Sequence, residues 1–106
     1  MAQFTTRIEL HRATQEDYDR LNSAMEKCGF SRTIKGADGN TYVLPTAEYE
    51  RSGEGLSGDQ IHNDAWRTAA SVSKRFSILI TEASRITWSG LTQLNEKPTT
   101  SVYIDG

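Results

Sequence analysis

The sequence predicts an α+β domain of order β-α-β-β-α-β, with two helices on one face of a four-stranded antiparallel sheet. Three observations predict it. The N-terminal stretch alternates apolar and polar residues with period two. Two later segments each open on a helix-capping signal and continue with apolar residues at helical spacing. Between them, an Asp-Gly pair flanked by short β-prone runs marks a hairpin.

Taken in order, residues 4–10 put Phe4, Ile8 and Leu10 on one face and Thr5, Arg7 and Glu9 on the other. That is the pattern of a half-buried strand. Thr14 and Asp17 then open the first helix: the hydroxyl can accept from the orphan amide three residues on, and Glu16 and Asp17 complement the helix dipole. Tyr18, Leu21, Met25 and Cys28 form one apolar stripe with Ala24 beside it, so Cys28 reads as a small core residue. Gly29 is the stop. Residues 30–34 form a short strand, Asp38-Gly39 turns the chain, residues 41–44 return, and Pro45 ends the hairpin. Residues 46–58, with Gly53, Gly55 and Gly58, read as a flexible surface loop. Ser57 and Gln60 make a second capping box, after which Ile61, Ala65, Ala69 and Val72 share a face. Trp66 flanks that face and is expected to fill the gap that its alanines leave. Residues 76–81 form the last strand, with Phe76, Ile78 and Ile80 on one side. Ile86 and Trp88 alternate in a strand-like way inside a segment that stays ambiguous. Val102, Tyr103 and Ile104 in the polar tail can add an edge strand or cross to a partner subunit. The division is therefore a domain over 1–90 and a tail over 91–106. This order is that of the split βαβ, ferredoxin-like arrangement, whose second sheet face, carrying Thr5, Arg7 and Glu9, is exposed or used for contact.

Composition narrows the function. A chain of 106 residues is one domain, and 25% charged with 36% hydrophobic residues marks it as globular. The formal charge of −2 gives no global pull toward nucleic acid, so a nucleic-acid reader needs a local basic patch. The single cysteine, Cys28, excludes an internal disulfide and a multi-cysteine metal site and fits a reducing compartment. The first ten residues lack the apolar core of a signal peptide, and Ile78-Leu79-Ile80 is too short an apolar run to cross a membrane. A cytoplasmic protein is expected. Nucleophile triad, Walker lysine, zinc spacing and dinucleotide fingerprint are all missing, which argues against an enzyme of small-molecule metabolism. Asp17, Asp19 and Asp38 are the plausible hard-metal ligands. Asp17 and Asp19 lie two apart on a helix and face apart, and Asp38 is explained by the turn, so no metal or other cofactor is expected.

Arg20-Leu21-Asn22-Ser23-Ala24-Met25, then Gly29-Phe30-Ser31, then Asp38 with Thr41-Tyr42, resembles the GhoS family, the endoribonuclease antitoxins of type V toxin–antitoxin systems. The resemblance extends over roughly residues 4–82 and is densest from 17 to 44. It implies a ferredoxin-like fold, cleavage of a single-stranded toxin messenger RNA, and a homodimer joined through sheet surfaces. The chain departs from the family where Asn22 stands in place of a second helix arginine, and the tail after Gly90 has no family counterpart.

Within that frame His11 and Arg20 are the candidate catalytic residues. A histidine at a strand end is suited to proton transfer, since imidazole changes charge near neutral pH. A guanidinium matches phosphate geometry, although Asp17 and Glu16 offer Arg20 an intrahelical ion pair. Arg7, Arg32 and Lys35 form an RNA-tracking basic strip if their strands are neighbours, and Tyr42 can stack on a base. The plainer alternative is cross-strand charge pairing with Glu9. A second reading is of another class: a non-catalytic interaction module from a phage or mobile element that regulates or inhibits a host defence complex through protein contact. It would use the polar sheet face, Trp88 and the tail, with Glu48, Glu50, Glu54 and Asp59 competing for basic nucleic-acid sites.

Overall fold

The computed structural model describes residues 2–94. Its elements are β1 (Ala2–Leu10), α1 (Gln15–Lys27), β2 (Thr33–Lys35), β3 (Thr41–Val43), β4 (Glu48–Gly53), α2 (Gly58–Ala70), β5 (Phe76–Glu82) and β6 (Gln93–Leu94). The tail trio Val102, Tyr103 and Ile104 lies outside the described residues.

The fold is α+β, but the single four-stranded ferredoxin-like sheet is not formed. Two separate three-stranded sheets take its place, ordered β4-β1-β5 and β2-β3-β6. β1 is central in the first and antiparallel to both neighbours. Phe4 stands opposite Arg51 and Glu82, and Arg7 opposite Glu48 and Leu79. With both edges of β1 occupied, the hairpin β2–β3 has no place beside it. The hairpin instead pairs with β6, Thr41 opposite Leu94. A two-way backbone bridge from Ser31 to Glu50, at 2.8 Å in each direction, ties this arm to β4.

The overturned element is β4, which lies inside the segment expected to be a loop. Glu-Tyr-Glu-Arg-Ser-Gly carries one large apolar residue, so periodicity gives it little weight. That residue, Tyr49, is completely buried under the helices. A single buried aromatic and six paired residues outweigh what the three-residue strands of the hairpin offer the same edge.

The helices form as their sequences direct. Thr14 accepts from the Asp17 N–H at 3.2 Å and Asp17 accepts from the Thr14 N–H at 2.9 Å, a complete capping box. At the other end the Phe30 N–H donates to the Met25 carbonyl and the Gly29 N–H to the Glu26 carbonyl. That is a Schellman stop with Gly29 at φ +93°, and the side chains of Phe30 and Met25 meet in the core beneath it. Ser57 caps α2 by accepting from the Gln60 N–H.

Both helices pack on the even-numbered face of β1. Phe4, Ile8 and Leu10 meet Leu21 and Met25 of α1 and Ile61, Ala65 and Ala69 of α2. The alanines let α2 approach closely, and each large apolar side chain buried here contributes about 1.5–3 kcal/mol. Thr6 shares that face and is buried with its hydroxyl unpartnered. Two stripe assignments are corrected. Cys28 is exposed, because the Schellman turn swings the last stripe position away from the core. Trp66 is 51% exposed, because Ile61, Ala65, Thr68 and Ala69 already fill the buried face of α2.

Two loop positions respond oppositely to the same backbone rule. Gly29→Ala puts a β-carbon on a left-handed residue and should lower stability by about 1 kcal/mol. Ala47, at φ +67° in the turn before β4, already bears that strain, so Ala47→Gly should be neutral or stabilising by a similar amount. Urea unfolding midpoints of the two variants, read beside the parent, check that Gly29→Ala loses stability and Ala47→Gly does not.

Candidate functional site

β1 continues past its last paired residue into His11, whose N–H donates to the Arg75 carbonyl at 3.0 Å. Tyr18 of α1 secures the same strand end, its hydroxyl accepting from the Leu10 N–H at 2.9 Å. Arg12 then turns the chain with φ +55°. These constraints hold the His11 imidazole at the start of β5, with Nε2 2.9 Å from the Ser77 hydroxyl. Lys74, Arg75, Phe76 and Trp66 complete an open cleft of about 460 Å³ around the pair. Trp66 meets Phe76 edge to face, ring centroids 5.8 Å apart, which leaves much of the indole open to solvent. Glu9 lies directly across from Ser77 on the same outer sheet face.

Chemically the cleft holds a solvent-accessible imidazole, a hydroxyl in contact with it, two cations and an exposed aromatic. The imidazole can accept or deliver a proton. The cations suit an anionic ligand, and the indole offers a stacking surface.

The other anticipated site residues lie elsewhere. Arg20 is on the exposed flank of α1, bonded to Asp17 at 2.7 Å, and lines a shallow concavity with Glu16, Asp19 and Lys27. Arg7 is on the outer sheet face opposite Glu48. Arg32 sits beside Tyr49 where the hairpin arm meets β4, its Nε enclosed without a partner. Lys35 is exposed on β2 opposite Thr41. Tyr42 is engaged twice: its hydroxyl donates to Asp38 at 2.7 Å, and its ring meets Trp88 at 5.5 Å. The basic strip of Arg7, Arg32 and Lys35 is thus not assembled, because the strands that carry Arg7 and Lys35 belong to different sheets. Sequence reasoning missed Lys74, Arg75 and Ser77. The available signal was a basic doublet immediately ahead of a strand, next to the helix that carries the flanking tryptophan.

The carboxylates considered for a metal are committed to other partners. Asp17 closes the capping box, and the Thr14 N–H leads the causes that hold its carboxyl below the usual range. Asp19 accepts from Gln15. Asp38 is lowered first by the Tyr42 hydroxyl and then by the Asn40 N–H. Among the described residues no three His, Cys, Asp or Glu side chains converge as a metal site. Asn22, where the resembled family carries an arginine, turns inward and accepts from the Tyr49 hydroxyl at 2.6 Å. Burial pushes that hydroxyl up to about 12.

No family model matches the chain, and no curated protein or solved structure matches it. Among the described residues no helix is long and apolar enough to cross a membrane.

The cleft depends on how α2 and the sheet are held together, and Arg51 of β4 is central to that. It donates to Asp64 of α2 at 2.9 Å while its guanidinium lies 5.2 Å from the centre of the Phe30 ring. Burial raises the Asp64 carboxyl, but hydrogen bonds from Arg51 and Arg67 outweigh it and leave the group below its ordinary value. A carboxyl depressed in the fold stabilises fully above the ordinary carboxylate range and loses that contribution as pH falls below about 4. Arg51→Met should destabilise by about 1–3 kcal/mol at neutral pH. Asp64→Asn should flatten the acid limb of stability, seen as a smaller drop in thermal midpoint between pH 6 and pH 3.

Proposed function

We propose that this chain binds and cleaves single-stranded RNA at the cleft around His11, the activity that the GhoS resemblance implies, in the cytoplasm. The observation that carries this reading is the His11–Ser77 pair at 2.9 Å, lodged among Lys74, Arg75 and the open indole of Trp66. In this reading Lys74 and Arg75 hold the scissile phosphate, and a flanking base stacks on Trp66. His11 takes the proton of the ribose 2′-hydroxyl. The 2′-oxygen then bonds to phosphorus, the bond from phosphorus to the 5′-oxygen breaks, and that oxygen leaves with a proton from solvent. Ser77 orients the imidazole through the ring nitrogen it contacts. This chemistry asks for no metal, since the charge on the phosphate is met by two side-chain cations. Arg20, Arg32, Lys35 and Tyr42 contribute at most to a longer RNA path.

The test is cleavage of several single-stranded RNAs by the pure chain, with chelator present. His11→Ala should reduce the rate by about 10²-fold or more. Arg75→Ala and Trp66→Ala should weaken RNA binding, whereas Arg20→Ala should leave both nearly unchanged. A folded wild type that leaves every RNA intact, or a His11→Ala variant as active as the parent, would remove the nuclease reading.

One observation favours the non-catalytic interaction module as the second reading. Leu79 is 65% exposed midway along β5, on the outer face of the sheet at its edge. Retention of a specific protein partner by the wild type, lost on Leu79→Ser, together with no RNA cleavage, would support that module.

A further inference from the structure

The free edge of β5 is written as a self-complementary strand. The His11 N–H donates to the Arg75 carbonyl and the Ala83 N–H to the Gln3 carbonyl, so the odd-numbered residues of this strand bond to β1. By the alternation of an antiparallel ladder, Phe76, Ile78, Ile80 and Glu82 turn their N–H and C=O groups to the other side. Among the described residues no strand pairs with that side.

Exposed edges are normally blunted by lysine, proline or a bulge. Between Phe76 and Thr81 there is no charge and no proline, and the register with β1 runs without interruption. The outer edge of β4 is a contrast within the same sheet. It carries Glu48 and Glu50 and is bridged by Ser31.

The sequence of β5 reads nearly the same in both directions about Leu79: Ser77-Ile78-Leu79-Ile80-Thr81. We infer that a second copy of this chain pairs with β5 across a two-fold axis at Leu79, joining two three-stranded sheets into one of six strands. In that register Ile78 faces Ile80 of the other copy and Ser77 faces Thr81. The two Leu79 side chains meet as a non-hydrogen-bonded pair, the closer of the two pair types. A slip of two residues would set Leu79 against Ser77 or Thr81, so the pattern selects one register.

Charge favours the same orientation. The strand is preceded by Lys74 and Arg75 and ends at Glu82, and antiparallel pairing brings the basic end of one copy to the acidic end of the other. The arrangement goes beyond the RNA reading and does not need it. It would set two His11 clefts on one continuous sheet face, their Ser77 residues about 14 Å apart by strand geometry.

The experiment is the mass of the full chain in solution at tens of micromolar, by light scattering after gel filtration, with two variants. Leu79 points away from the core, so Leu79→Lys should keep the circular dichroism of the parent while placing two cations face to face and shifting the mass to that of a monomer. In a Cys28→Ser background, Leu79→Cys should cross-link to a dimer on mild oxidation, whereas Ser77→Cys should not, because its counterpart is Thr81. A monomeric wild type would overturn the proposal, the edge then being left to solvent or to residues 95–106 of its own chain. A dimer unmoved by Leu79→Lys, or cross-linked equally well through Ser77→Cys, would place the interface elsewhere and overturn it as well.

Discussion

The structure depends on β1 being paired on both edges at once. Six of its residues are in register with β4 and seven with β5, so the strand is fixed from end to end. This double pairing sets which residues face the helices. Phe4, Thr6, Ile8 and Leu10 point to one side and give both helices a common floor. It also decides the architecture, because a strand with no free edge cannot accept the hairpin. The hairpin builds a second sheet with β6, and Trp88 packs on Tyr42 beside Gly36 at the turn. A β-carbon on Gly36 would come within 3.1 Å of the Tyr42 ring and 3.3 Å of the Trp88 ring, so a side chain at this turn would crowd the aromatic pair.

Above that floor, polar contacts set how the elements meet. Arg51 reaches from β4 to Asp64 of α2 and lies against the Phe30 ring just beyond α1, so one side chain touches three parts of the fold. Tyr49, two residues earlier on the same face, donates to Asn22 of α1. A strand with a single large apolar residue is therefore held by hydrogen bonds and an ion pair as much as by burial. Partly buried charge pairs of this kind are directional, which suits them to fixing where α1 and α2 sit on the sheet.

The proposed site follows from the same geometry. His11 is held by its backbone at the end of the β1–β5 ladder, and Ser77 reaches it because Glu9 and Ser77 are paired. Lys74 and Arg75 arrive through the turn that links α2 to β5. Trp66 is available because α2 has enough small residues to bury its face without it. The surface that could serve an anionic ligand is thus local and basic on a chain whose net charge is −2. The bare edge of β5 begins at the same place.

Much of the local structure was legible in the chain. The alternation from Phe4 to Leu10, the Thr14 and Ser57 caps, the Gly29 stop, the Asp38-Gly39 turn and the apolar face of β5 each depend on neighbours a few residues away, and the sequence by itself determined them. His11 was legible as a residue at a strand end. What surrounds it was not, because Ser77 is 66 residues distant and meets it only through the strand register. The same holds for β4, whose residues look like a loop until Tyr49 finds a place under the helices. It holds equally for Cys28, which the stop of α1 turns outward, and for Trp66, which the filled face of α2 leaves outside, although helical spacing marks both as apolar. Which strands share a sheet is a competition for the two edges of β1, and only the tertiary structure decides it, since backbone hydrogen bonds carry no record of sequence and the winner is set by what each candidate strand can bury.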